Sequence, residues 1–178
     1  MIYIKIMFVR KRLIINQLIQ NHEIYLDTDV KVCGWIETMR VQQKEGLSFI
    51  SLTDGSSIMS LQIILDPKTS EERSKLDTIY QDGTKGVSIE AYGKIVVSPA
   101  KGQVIEMKCM SLKILGKVDA SEYPIAKSKL KLDTIRQHLH LRPRTKTIAA
   151  VSRVRNACSM ATHQFYQSHG FQYIHTPI

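Results

Sequence analysis

The sequence of 178 residues contains no run of 18 or more apolar residues, which argues against a membrane-spanning helix. It has only three cysteines, Cys33, Cys109 and Cys158, far apart and without a C-x-x-C spacing. Neither a disulfide framework nor a zinc knuckle is supported, and reduced thiols are expected. The opening Met1-Ile-Tyr-Ile-Lys-Ile is briefly apolar. It lacks a preceding basic region and a small-residue cleavage site, so it does not read as a signal peptide. No glycine-rich phosphate cradle occurs, because Asp82-Gly83 and Lys85-Gly86 are turn-like. No nucleophile–base pair or carboxylate cluster stands out, and the six histidines lack metal-ligand spacing, so neither catalytic residues nor a metal site are expected.

Acidic residues are the minority, 16 against 25 Lys and Arg, for a net charge of +9. The surplus is uneven. Residues 1–117 carry 16 basic and 13 acidic side chains, and residues 118–178 carry 9 and 3. A basic balance suits a polyanionic partner without proving one. The apolar fraction of 43% is ordinary for a chain that builds a core.

Residues 1–28 are expected to be an N-terminal extension. Residues 29–117 read as strands: Val30–Arg40 with a bend site at Gly34, Leu47–Thr53, Ile58–Leu65, Val87–Val97 and Val104–Leu115. Between the third and fourth, residues 69–82 lose the period of two, and the capping-box pattern Thr69-Ser-Glu-Glu predicts a short helix through Ile79-Tyr80. Five strands with one helix in that place make a mostly β chain with a five-stranded Greek-key barrel of the OB type. Residues 118–146, with Pro124, Pro143 and many basic residues, read as a hinge or linker. From Thr147 the period becomes helical through Phe165, Gly170 stops the helix, and Phe171–His175 alternates as a strand would. Residues 147–178 therefore read as the first helix and strand of an α+β domain.

A turn centred between Gly55 and Ser56 sets Phe49 directly opposite Gln62. Ile50, Leu52, Met59, Leu61, Ile63 and Leu65 then share the core face, and Leu47, Phe49, Ser51, Ser60, Gln62 and Ile64 the outer one. In the last strand Ile105, Met107 and Cys109 point inward, and Glu106 and Lys108 outward. Arg40, ending the first strand, can join the outer surface. A ring stacks on an unpaired base, an amide suits the edge of uracil, a carboxylate accepts from guanine N1 and N2, and a guanidinium anchors phosphate. Pattern alone leaves each an ordinary alternative: a ring covered by a loop, a solvated glutamine, an exposed Glu–Lys strand pair, a solvated arginine.

Val30-Lys-Val-Cys-Gly-Trp-Ile36, Leu47-Ser-Phe-Ile-Ser-Leu-Thr-Asp-Gly55 and Leu61-Gln-Ile-Ile-Leu-Asp-Pro67 resemble the anticodon-binding OB domain of class IIb aminoacyl-tRNA synthetases. Ser98-Pro-Ala-Lys-Gly-Gln103, Asp119–Pro124, His140–Thr145 and Arg153–Ala157 with Ala161–Phe165 resemble the asparaginyl-tRNA synthetases in particular. Gly170–Pro177 resembles class II motif 1, and the resemblance covers about residues 25–178. It implies that Phe49 stacks on the middle anticodon base, a uracil, and that Gln62 bonds its edge. Glu106 would read guanine at the first position, and Arg40 would contact the loop backbone or a neighbouring base. It also implies a tRNA-Asn partner with a GUU anticodon, L-asparagine and ATP as substrates, Mg²⁺ as cofactor, a homodimer for the complete enzyme, and the cytoplasm. Class II motifs 2 and 3, with their ATP-binding arginines, have no counterpart in these 178 residues, so this chain by itself is expected to be inactive. An aspartate–tRNA ligase relative, or a free-standing OB module for single-stranded nucleic acid, are the alternatives.

Overall fold

A computed structural model describes residues 12–42, 47–66, 79, 82–100, 102–126 and 130–177. The chain divides into two compact units, Met1–Ser128 and Lys129–Ile178. In the first, β1 (Asp29–Gln42), β2 (Leu47–Thr53), β3 (Leu61–Leu65), β4 (Ser88–Val97) and β5 (Ile105–Gly116) close into a barrel in the order β1-β2-β3-β5-β4. All neighbours are antiparallel except β3 and β5, which run parallel. Except for Ile79, the expected helix through Ile79-Tyr80 lies outside the described residues.

Strict alternation of Val, Ile and Leu with polar residues lines the interior. Val32, Ile50, Leu52, Ile63, Ile89, Ile95 and Met107 are all fully buried. Two strand glycines are required by close approach. A Cβ on Gly34 would stand 2.5 Å from the Thr53 carbonyl oxygen, and one on Gly93 would stand 2.2 Å from that of Lys108. Gly34 is not the site of the strand irregularity expected there. The register shift in β1 lies between Ile36 and Thr38.

Within the expected N-terminal extension, the described residues from Leu13 onward pack on the barrel, and residues 1–11 lie outside the described residues. Helices α1 (Ile15–Gln20) and α2 (His22–Tyr25) precede the barrel, and Leu13, Ile15 and Leu18 belong to its core. Helix α1 has no capping side chain of its own. Its first orphan amides are met instead by the β2–β3 loop: Ile15 N–H donates to Asp54 Oδ2 at 2.9 Å and Asn16 N–H to Ser56 Oγ at 3.0 Å. The same loop is longer than a tight turn. β3 starts at Leu61 rather than Ile58, and Met59, expected in the core, is 47% exposed.

The second unit holds α3 (Leu132–Gln137), a 3-10 turn at Arg142–Arg144 and α4 (Lys146–Ser168). Gly170 ends α4 with φ +81 in a Schellman arrangement. Gly170 N–H donates to Gln167 O, Phe171 N–H donates to Tyr166 O, and the Phe171 and Tyr166 rings meet edge to face at 5.4 Å. The strand expected at Phe171–His175 does not form, and residues 171–177 have no regular structure. A strand needs a ladder partner for its backbone groups, and no described segment pairs with this one.

The described cysteines are free thiols, as expected. Burial pushes the Cys109 thiol up to about 12, with a Ser111 backbone hydrogen bond acting the other way. The protonated form is the one the fold tolerates. The unfolded thiol ionises near 8.5, so this contribution to stability is present below that pH and is lost as pH rises toward 12. At pH 8, Cys158, which is exposed, should react first with a thiol reagent and Cys109 last, as peptide mapping after timed alkylation would read.

Candidate nucleic-acid interface

The outer barrel face is built by two adjacent cross-strand rows. Arg40 pairs with Phe49, Phe49 with Ile64, and Ile64 with Lys108, and Lys94 follows opposite Lys108. The neighbouring row runs Thr38, Ser51, Gln62, Glu106. All four residues singled out from sequence therefore lie on one surface, over β1, β2, β3 and β5.

Their relation differs from the expected one. Phe49 stands opposite Ile64, not Gln62, which is its diagonal neighbour. The lengthened β2–β3 loop slides the register by two residues. Because side chains alternate with a period of two, a two-residue slip changes partners and keeps faces. Diagonal residues lie roughly 7–8 Å apart, within reach of a ring and an amide serving one nucleotide. Arg40 lies two pairs inside the hairpin end, where Gln42 meets Leu47.

The bulge in β1 decides where Arg40 points. Val30, Val32 and Ile36 are buried, so unbroken alternation would send Arg40 inward. The shift at Glu37 reverses the phase. Met39, opposite Ile50, packs on the core, and Arg40 is exposed. The bulge is tied down by the Ser60 hydroxyl, which donates to Glu37 Oε2. Half-buried Lys85 is held below the usual lysine range by desolvation, with the Glu37 charge acting against that shift.

Glu106 is on the outer face but is not an exposed partner of Lys108. It is 4% exposed, and Ser98 and Gln103 reach back to it. Ser98 Oγ donates to Glu106 Oε2 at 2.9 Å, and Gln103 Nε2 lies 3.4 Å from the same oxygen. The alternation could not reveal this cover, because it comes from loop residues three and eight positions before Glu106. Lys94 was passed over in the sequence, although β4 alternation places it outward. It faces Lys108 directly, and neither forms an ion pair among the described residues. Like charges opposite one another cost stability unless an anion screens them.

One face of the five-stranded closed barrel thus carries a ring, an amide, a carboxylate and three cations, side chains with the chemistry to take unstacked nucleotides. The family model of the OB-fold nucleic acid binding domain of tRNA anti-codon type matches residues 30–115. An asparagine–tRNA ligase of Syntrophobacter fumaroxidans is 44% identical over 161 residues, which is 90% of this chain and 34% of that relative. Over the residues they share, this chain belongs to the asparagine–tRNA ligase family. It spans about a third of the length of such relatives; one from Synechocystis, 41% identical, is covered over 32%. The asparaginyl-tRNA synthetase of Entamoeba histolytica solved with asparaginyl-adenylate superposes with a TM-score of 0.69 at 21% identity, over 85% of this chain and 35% of that one. A putative aspartyl-tRNA synthetase from Leishmania major superposes at 0.77 with 19% identity, over 94% and 34%. The structural likenesses speak to fold alone.

Proposed function

We propose that the outer barrel face binds the anticodon loop of tRNA-Asn, as the decoding part of an asparagine–tRNA ligase. The observation that carries the reading is the adjacency of the two rows, which sets Phe49 between Arg40 and the Gln62–Glu106 pair. In this reading the middle uracil stacks on Phe49 and takes its edge contacts from the Gln62 amide, which supplies both a donor and an acceptor. The first-position guanine gives its donors to Glu106. Arg40, Lys108 and Lys94 run along the same row and neutralise phosphates of the loop.

The whole enzyme would join asparagine to tRNA at the expense of ATP, with Mg²⁺, as a cytoplasmic homodimer. Among the described residues no group of three or more His, Cys, Asp or Glu is placed to hold a metal ion. No described helix is long and apolar enough to cross a membrane.

Titration of the chain against fluorescent hairpin RNAs tests the reading. A GUU loop should bind about tenfold or more tighter than loops changed at the first or middle base, the cost of leaving one buried polar group unpaired. With three cations on phosphates, log affinity against log salt should have a slope of about −2. Equal affinity for unrelated anticodons would overturn it and leave a module for single strands of any sequence.

A further inference from the structure

We propose that Ser98 and Gln103 are positioning residues that hold Glu106 as a fixed acceptor, and that this three-residue clamp sets the preference for guanine over adenine at the base Glu106 faces. The proposal rests on the anticodon reading above.

Among the described residues Ser48 and Glu106 are the buried polar or charged ones, and of the two only Glu106 carries a carboxylate. A carboxylate is costly to bury unless its oxygens accept hydrogen bonds. The bonds made here are directional. Ser98 Oγ accepts from Ala100 N–H at 3.2 Å and from Gln103 Nε2 at 2.8 Å. A hydroxyl has two acceptor positions and one hydrogen. With both acceptor positions taken, the hydrogen of Ser98 goes to Glu106 Oε2, 2.9 Å away. The second hydrogen of the Gln103 amide points at the same oxygen from 3.4 Å. Oε2 is thus committed to protein donors.

Oε1 accepts no hydrogen bond among the described residues, and Glu106 pairs in register with Gln62 on the outer face. The clamp therefore presents one oxygen, which can only accept, beside the amide. Guanine offers N–H donors at N1 and N2. Adenine offers an acceptor at N1, which would face oxygen with no hydrogen between them. A free glutamate has three side-chain torsions and could swing to water and ignore the mismatch. Fixing it turns a tolerant contact into a selective one.

The full chain is tested with hairpins carrying GUU, AUU and a loop with an abasic first position. Ser98→Ala and Gln103→Leu should each lower the GUU-to-AUU affinity ratio by roughly tenfold, the scale of losing a hydrogen bond to a charged group. Ser98→Thr, which keeps the hydroxyl, should restore the ratio. Affinity for the abasic hairpin should not move, whereas general damage to the surface would lower it too. If Glu106→Gln collapses the ratio while Ser98→Ala and Gln103→Leu do not, the clamp is overturned and the anticodon reading stands. If Glu106→Gln leaves the ratio unchanged, Glu106 does not read the base and both fall. Should Ser98→Ala fail to fold, Gln103→Leu and Ser98→Thr decide the matter.

Discussion

Replacing Phe49 with alanine is expected to weaken binding to the GUU hairpin by about 5- to 150-fold, because base–aromatic stacking contributes roughly 1–3 kcal/mol per base. The ring is half-buried on the outer face, between Arg40 and Ile64, and is not part of the core. Its loss should therefore leave the unfolding midpoint nearly unchanged. Stacking accepts any base, so Phe49→Ala should weaken binding to matched and mismatched loops alike. Gln62→Ala, in contrast, should reduce the discrimination at the middle position more than the affinity. Anisotropy titrations with both loops separate the two effects. Binding by Phe49→Ala within twofold of the parent chain would remove the stacking platform from the mechanism.

The second large effect concerns stability. Leu18 lies in α1, outside the barrel strands, yet it is fully buried. Leu18→Ala should cost about 2–5 kcal/mol, the range for deleting a buried leucine side chain and leaving a cavity. A loose extension would give a change within about 0.5 kcal/mol, as surface substitutions do. Urea unfolding followed by circular dichroism reads the difference as a lower midpoint at unchanged slope. Asp54→Ala should act in the same direction and by less, since it removes the carboxylate that receives the Ile15 amide. An unchanged midpoint for Leu18→Ala would mean that α1 does not contribute to the barrel core.

The family blocks, the five strands and the helix ending at Gly170 were legible because each depends on neighbours within a few residues. So were the two faces of β2 and β3. Alternation is a local property of the backbone, and it survives even when a register is misjudged by two, as that of Phe49 was. The glycine at position 170 was legible for the same reason: an αL residue followed by Phe171 needs nothing beyond the helix it ends.

What failed had its cause elsewhere in the chain. Residues 1–28 read as an extension, but Ile15 and Leu18 are buried, and the start of α1 is held by Asp54 and Ser56, about 40 residues on. Glu106 looked solvated until Ser98 and Gln103 closed over it. The strand at Phe171 had the right alternation and no partner to pair with. Composition and period by themselves determined the barrel class, the succession of strands along the chain and which side chains of β2 and β3 face outward, since those follow from burying apolar groups at a period of two. Only the tertiary structure decided that Arg40 shares the face of Phe49. A one-residue bulge reverses every side chain beyond it, and no local pattern announces where closing a barrel will require one.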